Sequence, residues 1–209
     1  MHARVLQASD PGMLRTALDI LRRGGLVAFP TDTVYGVGAM AFDAAAVERI
    51  YAAKGRDVTK ALPILLADQD GLSDVAEEIG PDARRLAETF WPGPLTIVVR
   101  KRDVVPEAVS QGVTIGVRVP AHPVTLELLN ASGPLAATSA NLSGAPDSMT
   151  ADEVVAALGD RIDLIVDGGR APGGKPSTVV NCTVSPPSLE REGPVSMDLI
   201  LAVLGKAGR

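Results

Sequence analysis

Several residue types are scarce in this chain, and each shortage excludes a class of function. A single cysteine, Cys182, rules out an internal disulfide framework and a multi-cysteine metal site. It ends the run Ser177 to Cys182, which reads as a strand, and packing as a small hydrophobe is its expected role. The two histidines are His2, near the terminus, and His122, just before Pro123 at a helix start. No His/carboxylate triad and no histidine metal site can be assembled from them, and His122 reads as a cap or local hydrogen-bonding residue. Aromatics make up 3%, too few for a platform of stacked bases. The net charge is -5, which argues against a general nucleic-acid binder but leaves room for a local basic cleft. No signal pattern opens the chain, and no apolar run approaches the roughly 20 residues that span a bilayer. A soluble, cytoplasmic protein without membrane contact is expected.

What is present is aliphatic. Of the 209 residues, 46% are hydrophobic, and with so few rings the core must be Val, Leu, Ile and Ala. Such composition suits α/β layers, whose buried strands read as near-continuous aliphatic runs. Helices are expected from Asp10-Pro11, with Asp10 as cap, to Gly24, and from the cap Asp43 to Gly55. Further helices are expected at 73–79, from Pro81 to Phe90, from His122-Pro123, from the capping box Thr150 to Glu153, and after Ser196. Strands are expected at 26–29, 62–67, 95–99, 114–119, 135–138, 164–167, 177–182 and 189–191, with Pro63 marking an edge or strand-entry position. Helices alternate with strands to the end, and no linker divides two cores. The expectation is one α/β domain over 1–209, with a twisted mixed parallel and antiparallel sheet flanked by helices.

Chemistry-bearing residues gather where strands and helices end. Lys54-Gly55-Arg56-Asp57-Val58-Thr59-Lys60 places three cations in seven residues, after an amphipathic helix and before an apolar strand. Either it is a solvated helix end, which suits Lys and Arg, or it grips an oxyanion-rich ligand such as phosphate. Lys54 follows Ile50 and Tyr51 by one turn on the same side of its helix. Pro30 to Gly38 follows a buried strand with small hydroxyls and glycines, which is either an ordinary turn or a close-approach ligand loop. Arg118 lies inside an apolar run, where an unpaired guanidinium is costly, so it needs an anion from the protein or, as favoured here, from a ligand. Leu135 to Thr138 runs into Ser139-Ala140-Asn141 in the same strand-to-polar-loop manner. Gly168 to Pro176 reads as a flexible glycine-rich loop.

Taken together, FPTDTVYGVGAMAFD, the K-x-R of KGRDVTKALPILL, WPGPLTIVV, VRVPAHP, the S-x-N of ATSANLSG, and IVDGG followed by STVVN resemble the YrdC family of threonylcarbamoyl-adenylate synthases. The resemblance runs from about Leu14 to Gly193. It implies a nucleotidyltransferase that joins L-threonine, bicarbonate and ATP into L-threonylcarbamoyl-AMP and pyrophosphate. Partner proteins would then deliver the activated group to adenosine 37 of tRNA, with at most weak direct tRNA contact. It also implies a deep, positively lined cavity on one sheet face. By resemblance, Thr33, Arg118 and Ser177 contact threonine. Arg56, Lys60, Thr114, Ala137, Ser139, Asp147 and Arg191 contact the nucleotide, and Lys54, Arg56, Ser139 and Asn141 form the catalytic group. Mg2+ would arrive with ATP, held by phosphates and water.

This sequence departs from the family pattern in two ways. Leu65 stands near a position where some relatives have a threonine-contacting histidine. The chain also reads as the short form, without the linker and second domain of longer relatives, so residues 168–176 are the candidate lid. Two other functions fit less well. One is an RNA-binding module using the cavity for tRNA or double-stranded RNA. The other is a carbamoyl-transfer domain like that of hydrogenase-maturation proteins.

Overall fold

A computed structural model describes residues 2–205 of the chain. Ten strands form a single sheet. They are β1 (Arg4–Gln7), β2 (Val27–Phe29), β3 (Gly36–Met40), β4 (Ile64–Leu65), β5 (Leu95–Arg100), β6 (Thr114–Arg118), β7 (Leu135–Ser139), β8 (Leu164–Asp167), β9 (Thr178–Asn181) and β10 (Ser188–Arg191). The helices are α1 (Met13–Leu21), α2 (Ala44–Lys54), α3 (Leu72–Val75), α4 (Pro81–Phe90), α5 (Pro123–Ser132), α6 (Ala151–Leu158) and α7 (Met197–Val203). Across the sheet the order is β1-β8-β2-β3-β7-β4-β6-β5-β9-β10. Parallel pairs (β1/β8, β2/β8, β4/β6, β5/β9) occur beside antiparallel ones, so the sheet is mixed as expected. Among the described residues no helix is long and apolar enough to cross a membrane.

Local chemistry explains most element boundaries. Asp43 accepts from the Ala46 amide and opens α2, and Gly55 closes it in the left-handed region. Thr150 and Ser196 likewise accept from Glu153 and Leu199 at the starts of α6 and α7. Asp10 does not cap α1, because its carboxylate accepts from the Gln7 amide instead, and the helix starts later, after Gly12. His122 takes the N-cap position of α5 without a side-chain cap bond. Pro63 is at a strand entry but not at an edge. The two-residue β4 lies between β7 and β6, and the Pro63 carbonyl accepts from Ala137. Cys182 packs against the core while only partly buried.

Two strands departed from expectation. β1 is short and mostly exposed, and it shows no apolar alternation to read. β3 begins inside the glycine-rich stretch expected to be loop. A Cβ at Gly36 or Gly38 would come within 3.1 or 3.2 Å of the Phe29 ring, so those glycines let the ring lie across the strand.

Layering decides where the site sits. Side chains alternate across a strand, so Ile115 and Val117 of β6 and Ile97 and Val99 of β5 point to one face. There they meet Val47 and Ile50 of α2, Leu86 of α4, Val154 of α6 and Ile200 of α7. Each such fully buried aliphatic contributes roughly 1.5–3 kcal/mol. The opposite face is covered by α1 and α5 over part of its width. Met13, Ala17, Leu21, Leu128 and Leu129 pack on Val27, Phe29, Leu135, Leu164 and Val166. From β7 through β4, β6 and β5 to β9, this face carries a cavity instead.

Candidate active site

The cavity holds about 320 Å³. Its floor follows the pleat of the strands. Thr114, Gly116 and Arg118 alternate along β6, Thr96 and Val98 along β5, and Ser177, just before β9, and Val179 within it complete the floor. Thr114 and Arg118 therefore lie at opposite ends of one strand but on one face. Thr33, from the loop after β2, Arg56, from the loop after α2, Ala137 and Ser139 of β7, and Arg191 of β10 complete the set. Eight of the twelve candidate residues thus line one hollow: Thr33, Arg56, Thr114, Arg118, Ala137, Ser139, Ser177 and Arg191. Lys54, Lys60, Asn141 and Asp147 are not among the lining residues.

Lys54 is only 2% exposed, and its ammonium donates to the carbonyls of Ser139 and Asn141, each at 2.5 Å, and to Asn141 Oδ1 at 3.1 Å. An ammonium has three donors, and all three are matched. Ser139 Oγ donates to Asn141 Oδ1, and Asn141 Nδ2 donates to the Ala145 carbonyl. Lys54 thereby pins the turn that presents Ser139 from below. Burial, and secondly Arg56, push the Lys54 ammonium down to about 8, with Asp147 opposing. Lys60 is exposed at the loop surface, and Asp147 is half-buried within electrostatic reach of Lys54 and Arg191.

Three guanidiniums line the cavity, each tied to backbone. Arg56 donates from Nε to the Lys60 carbonyl at 3.3 Å and from Nη2 to the Ala61 carbonyl at 3.1 Å. Arg191 donates from Nε and Nη2 to the Ser177 carbonyl at 3.0 and 2.8 Å, and from Nη2 to Ser177 Oγ at 3.0 Å. Arg118 donates from Nε to the Gly93 carbonyl at 2.9 Å, from Nη1 to Thr33 Oγ1 at 3.0 Å and from Nη2 to Asp32 Oδ1 at 2.6 Å. Burial lowers the pKa of all three below the usual arginine value. The anion that Arg118 requires is therefore supplied by the protein, through Asp32, and the expectation of a ligand in that role is corrected.

Sequence reasoning missed several contributors. Thr96 Oγ1 lies 2.8 Å from Ser177 Oγ; its polarity within the apolar run LTIVV was the available signal. Gly93, in the WPGP turn, offers its carbonyl to Arg118, which no spacing rule reveals. Tyr35 donates to the Gly169 carbonyl at 2.6 Å, and burial pushes its phenol up to about 12, so it stays neutral. The glycine-rich loop is bonded down further along, with Ala171 donating to the Met149 carbonyl and Gly174 to the Thr33 carbonyl. A Cβ at Gly173 would fall 2.6 Å from the Asp32 carbonyl.

This arrangement has known relatives. A family model, Sua5/YciO/YrdC, described as telomere recombination, matches residues 19–193. The chain belongs to the Sua5/YciO/YrdC family. Threonylcarbamoyl-AMP synthase of Pyrococcus abyssi is 45% identical over 195 residues, covering 92% of this chain and 57% of the relative. The Bacillus subtilis protein of the same name is 42% identical over 203 residues, covering 96% and 58%. A crystal structure of P. abyssi Sua5 complexed with L-threonine superposes with a TM-score of 0.93 at 41% identity, covering 99% of this chain and 62% of that one. This member of the family therefore spans less than two thirds of the length of these relatives.

Proposed function

We propose that this chain is a nucleotidyltransferase that condenses L-threonine, bicarbonate and ATP to L-threonylcarbamoyl-AMP and pyrophosphate. One observation carries the reading: Arg56, Arg118, Ser139, Ser177 and Arg191, drawn from five separate parts of the chain, line one cavity. The relatives' names and the threonine held by a relative support it.

Arg118 spends three of its five N–H groups on Gly93, Thr33 and Asp32, leaving two for the threonine carboxylate. Thr33, bonded to Arg118, and Ser177, bonded to Thr96 and Arg191 in the same cavity, are hydroxyl partners for the same substrate. Arg56 and Arg191 keep N–H groups for phosphate oxygens, and Lys60, exposed next to the lining residue Ala61, adds a charge for them. Thr114, Ala137 through its backbone, and Ser139 line the nucleotide portion, with Asp147 nearby and Asn141 and Lys54 holding the Ser139 turn.

The threonine amine and bicarbonate combine to a carbamate, releasing water. A carbamate oxygen then attacks the α-phosphorus, the bond to the β-phosphate bridging oxygen breaks, and pyrophosphate leaves. Such transfers are catalysed mainly by positioning and charge stabilisation. Guanidiniums already fixed by backbone carbonyls reorganise little when charge shifts onto the leaving group. Mg2+ fits as a companion of ATP. Among the described residues no cluster of three or more His, Cys, Asp or Glu could hold a metal, and Glu190 is the carboxylate lining the cavity. Phosphates and water would supply most of its ligands. The product is a mixed anhydride that needs a transferase acting on tRNA to consume it.

Mass spectrometry of the protein incubated with ATP, L-threonine and bicarbonate tests the reading. The threonylcarbamoyl-AMP mass, appearing only with all three, is expected. Pyrophosphate release indifferent to threonine, or tight salt-sensitive RNA binding without adduct, would overturn it.

A further inference from the structure

The three guanidiniums of the cavity differ in one respect. Among the described residues, Arg118 is the only one of them in an ion pair, with Asp32 at 2.6 Å. Arg56 and Arg191 are tied to neutral carbonyls, and Asp57 and Asp147 act on Arg56 and Arg191 only at longer range. The pair is also deep: the side chains of Arg118 and Asp32 are 7% and 13% exposed. A charge pair this sheltered is little screened by salt, so its compensation reaches a neighbouring ligand almost undiminished.

Asp32 is held independently of Arg118. Its Oδ1 also accepts from the Ala121 amide at 2.9 Å, and the Gly173 backbone lies against its own carbonyl. Its Oδ2 is buried without a hydrogen-bond partner among the described residues. Bonded to the Ala121 amide and 13% exposed, the carboxylate is held beside Arg118 when an anion arrives, and its charge is not spread over further donors. Asp32 itself does not line the cavity.

We propose that Asp32 sorts the two anionic substrates: it cancels most of the Arg118 charge, so a monoanionic carboxylate docks there by hydrogen bonding while polyphosphate is left to Arg56 and Arg191. The proposal rests on reading the cavity as a joint threonine and ATP site. Asp32 acts through Arg118, which makes it a positioning and specificity-determining residue rather than a catalytic one. Without it, a full positive charge at the threonine end would attract the triphosphate, whose several charges gain more from it than one carboxylate does. A cavity of about 320 Å³ gives the polyphosphate no distance from the wrong end, so discrimination must come from charge.

Titration calorimetry with L-threonine, with and without saturating inorganic tripolyphosphate, tests the proposal on the wild type, Asp32→Asn and Asp32→Glu. In the wild type, tripolyphosphate should shift the threonine affinity by about twofold or less, and in Asp32→Asn it should weaken it about tenfold or more. Asp32→Glu should restore the insensitivity. A merely structural role for Asp32 would lower the binding-competent fraction without creating this competition. Displacement of threonine by tripolyphosphate from the wild type overturns the proposal even if Asp32→Asn does not fold, and so does a folded Asp32→Asn that shows no competition. A wild type that binds tripolyphosphate but no threonine would instead overturn the functional reading, and the proposal with it.

Discussion

The two ends of the cavity hold their arginines in different ways. Arg118 belongs to the sheet: it is 6% exposed, ends β6, and is fixed by a buried carboxylate, a hydroxyl and a carbonyl from distant parts of the chain. Arg56 belongs to a loop: it is held by the carbonyls of Lys60 and Ala61, four and five residues away. The first arrangement makes a guanidinium part of the core, so that function and stability cannot be separated there. The second leaves a guanidinium that could be removed with little effect on folding. Beneath the loop end, Lys54 repeats the buried pattern and ties the loop to the Ser139 turn.

Mutations should expose this contrast. Arg118→Met leaves Asp32 buried and unpaired, so about 3 kcal/mol of stability should be lost in urea unfolding. Combining it with Asp32→Asn should recover part of that stability but none of the threonine binding. Lys54→Met takes the ammonium from the Ser139 and Asn141 carbonyls and leaves Asn141 Oδ1 with Ser139 Oγ, and about 2–3 kcal/mol should be lost, together with adenylate formation. Arg56→Ala should lower kcat/KM for ATP about a hundredfold through lost charge-assisted hydrogen bonds, yet cost under about 1 kcal/mol of stability. Equal stability losses at Arg56 and Arg118 would erase the contrast.

The pH response follows from Lys54, whose folded pKa of about 8 lies below its usual 10.5. Between these values the unfolded chain binds more protons, so the contribution of this group to stability rises with pH across that window. Its penalty is fully present below about 8. Activity should move the opposite way, falling as pH rises through about 8, because a neutral amine cannot satisfy three oxygens around the Ser139 turn. Pyrophosphate release measured across pH 7–10, a range that brackets the folded value of about 8 for this lysine, checks the fall. The smallest effect is expected at the exposed Lys60, which does not line the cavity: Lys60→Ala should raise the KM for ATP about threefold and leave stability within about 0.5 kcal/mol.

How much of this could be read from the sequence depended on range. Lys54 was placed on the buried side of α2 by helical spacing alone, because Ile50 and Tyr51 fix that face. Its three acceptors, 85 and 87 positions later, were not readable. The apolar run around Arg118 announced a buried charge in need of an anion, but Asp32 is 86 positions earlier, and no local rule joins them. The order of strands in the sheet was likewise hidden: Pro63 left an edge or a strand entry open, and β4, which it precedes, is shielded on both sides. The motifs of the family supplied most of the cavity lining, since motifs record what ligands require. The motif WPGPLTIVV contains Gly93 and Thr96 but gave neither a role, because their contribution is support of Arg118 and Ser177.

The central claim is that one cavity holds a triphosphate at its loop end and an amino-acid carboxylate at its sheet end at the same time. A crystal structure of the protein with L-threonine and a non-hydrolysable ATP analogue tests it most directly. The account predicts the threonine carboxylate on Arg118, with Thr33 and Ser177 beside it, and the phosphates on Arg56 and Arg191. Phosphates on Arg118, or the two ligands in separate hollows, would contradict it.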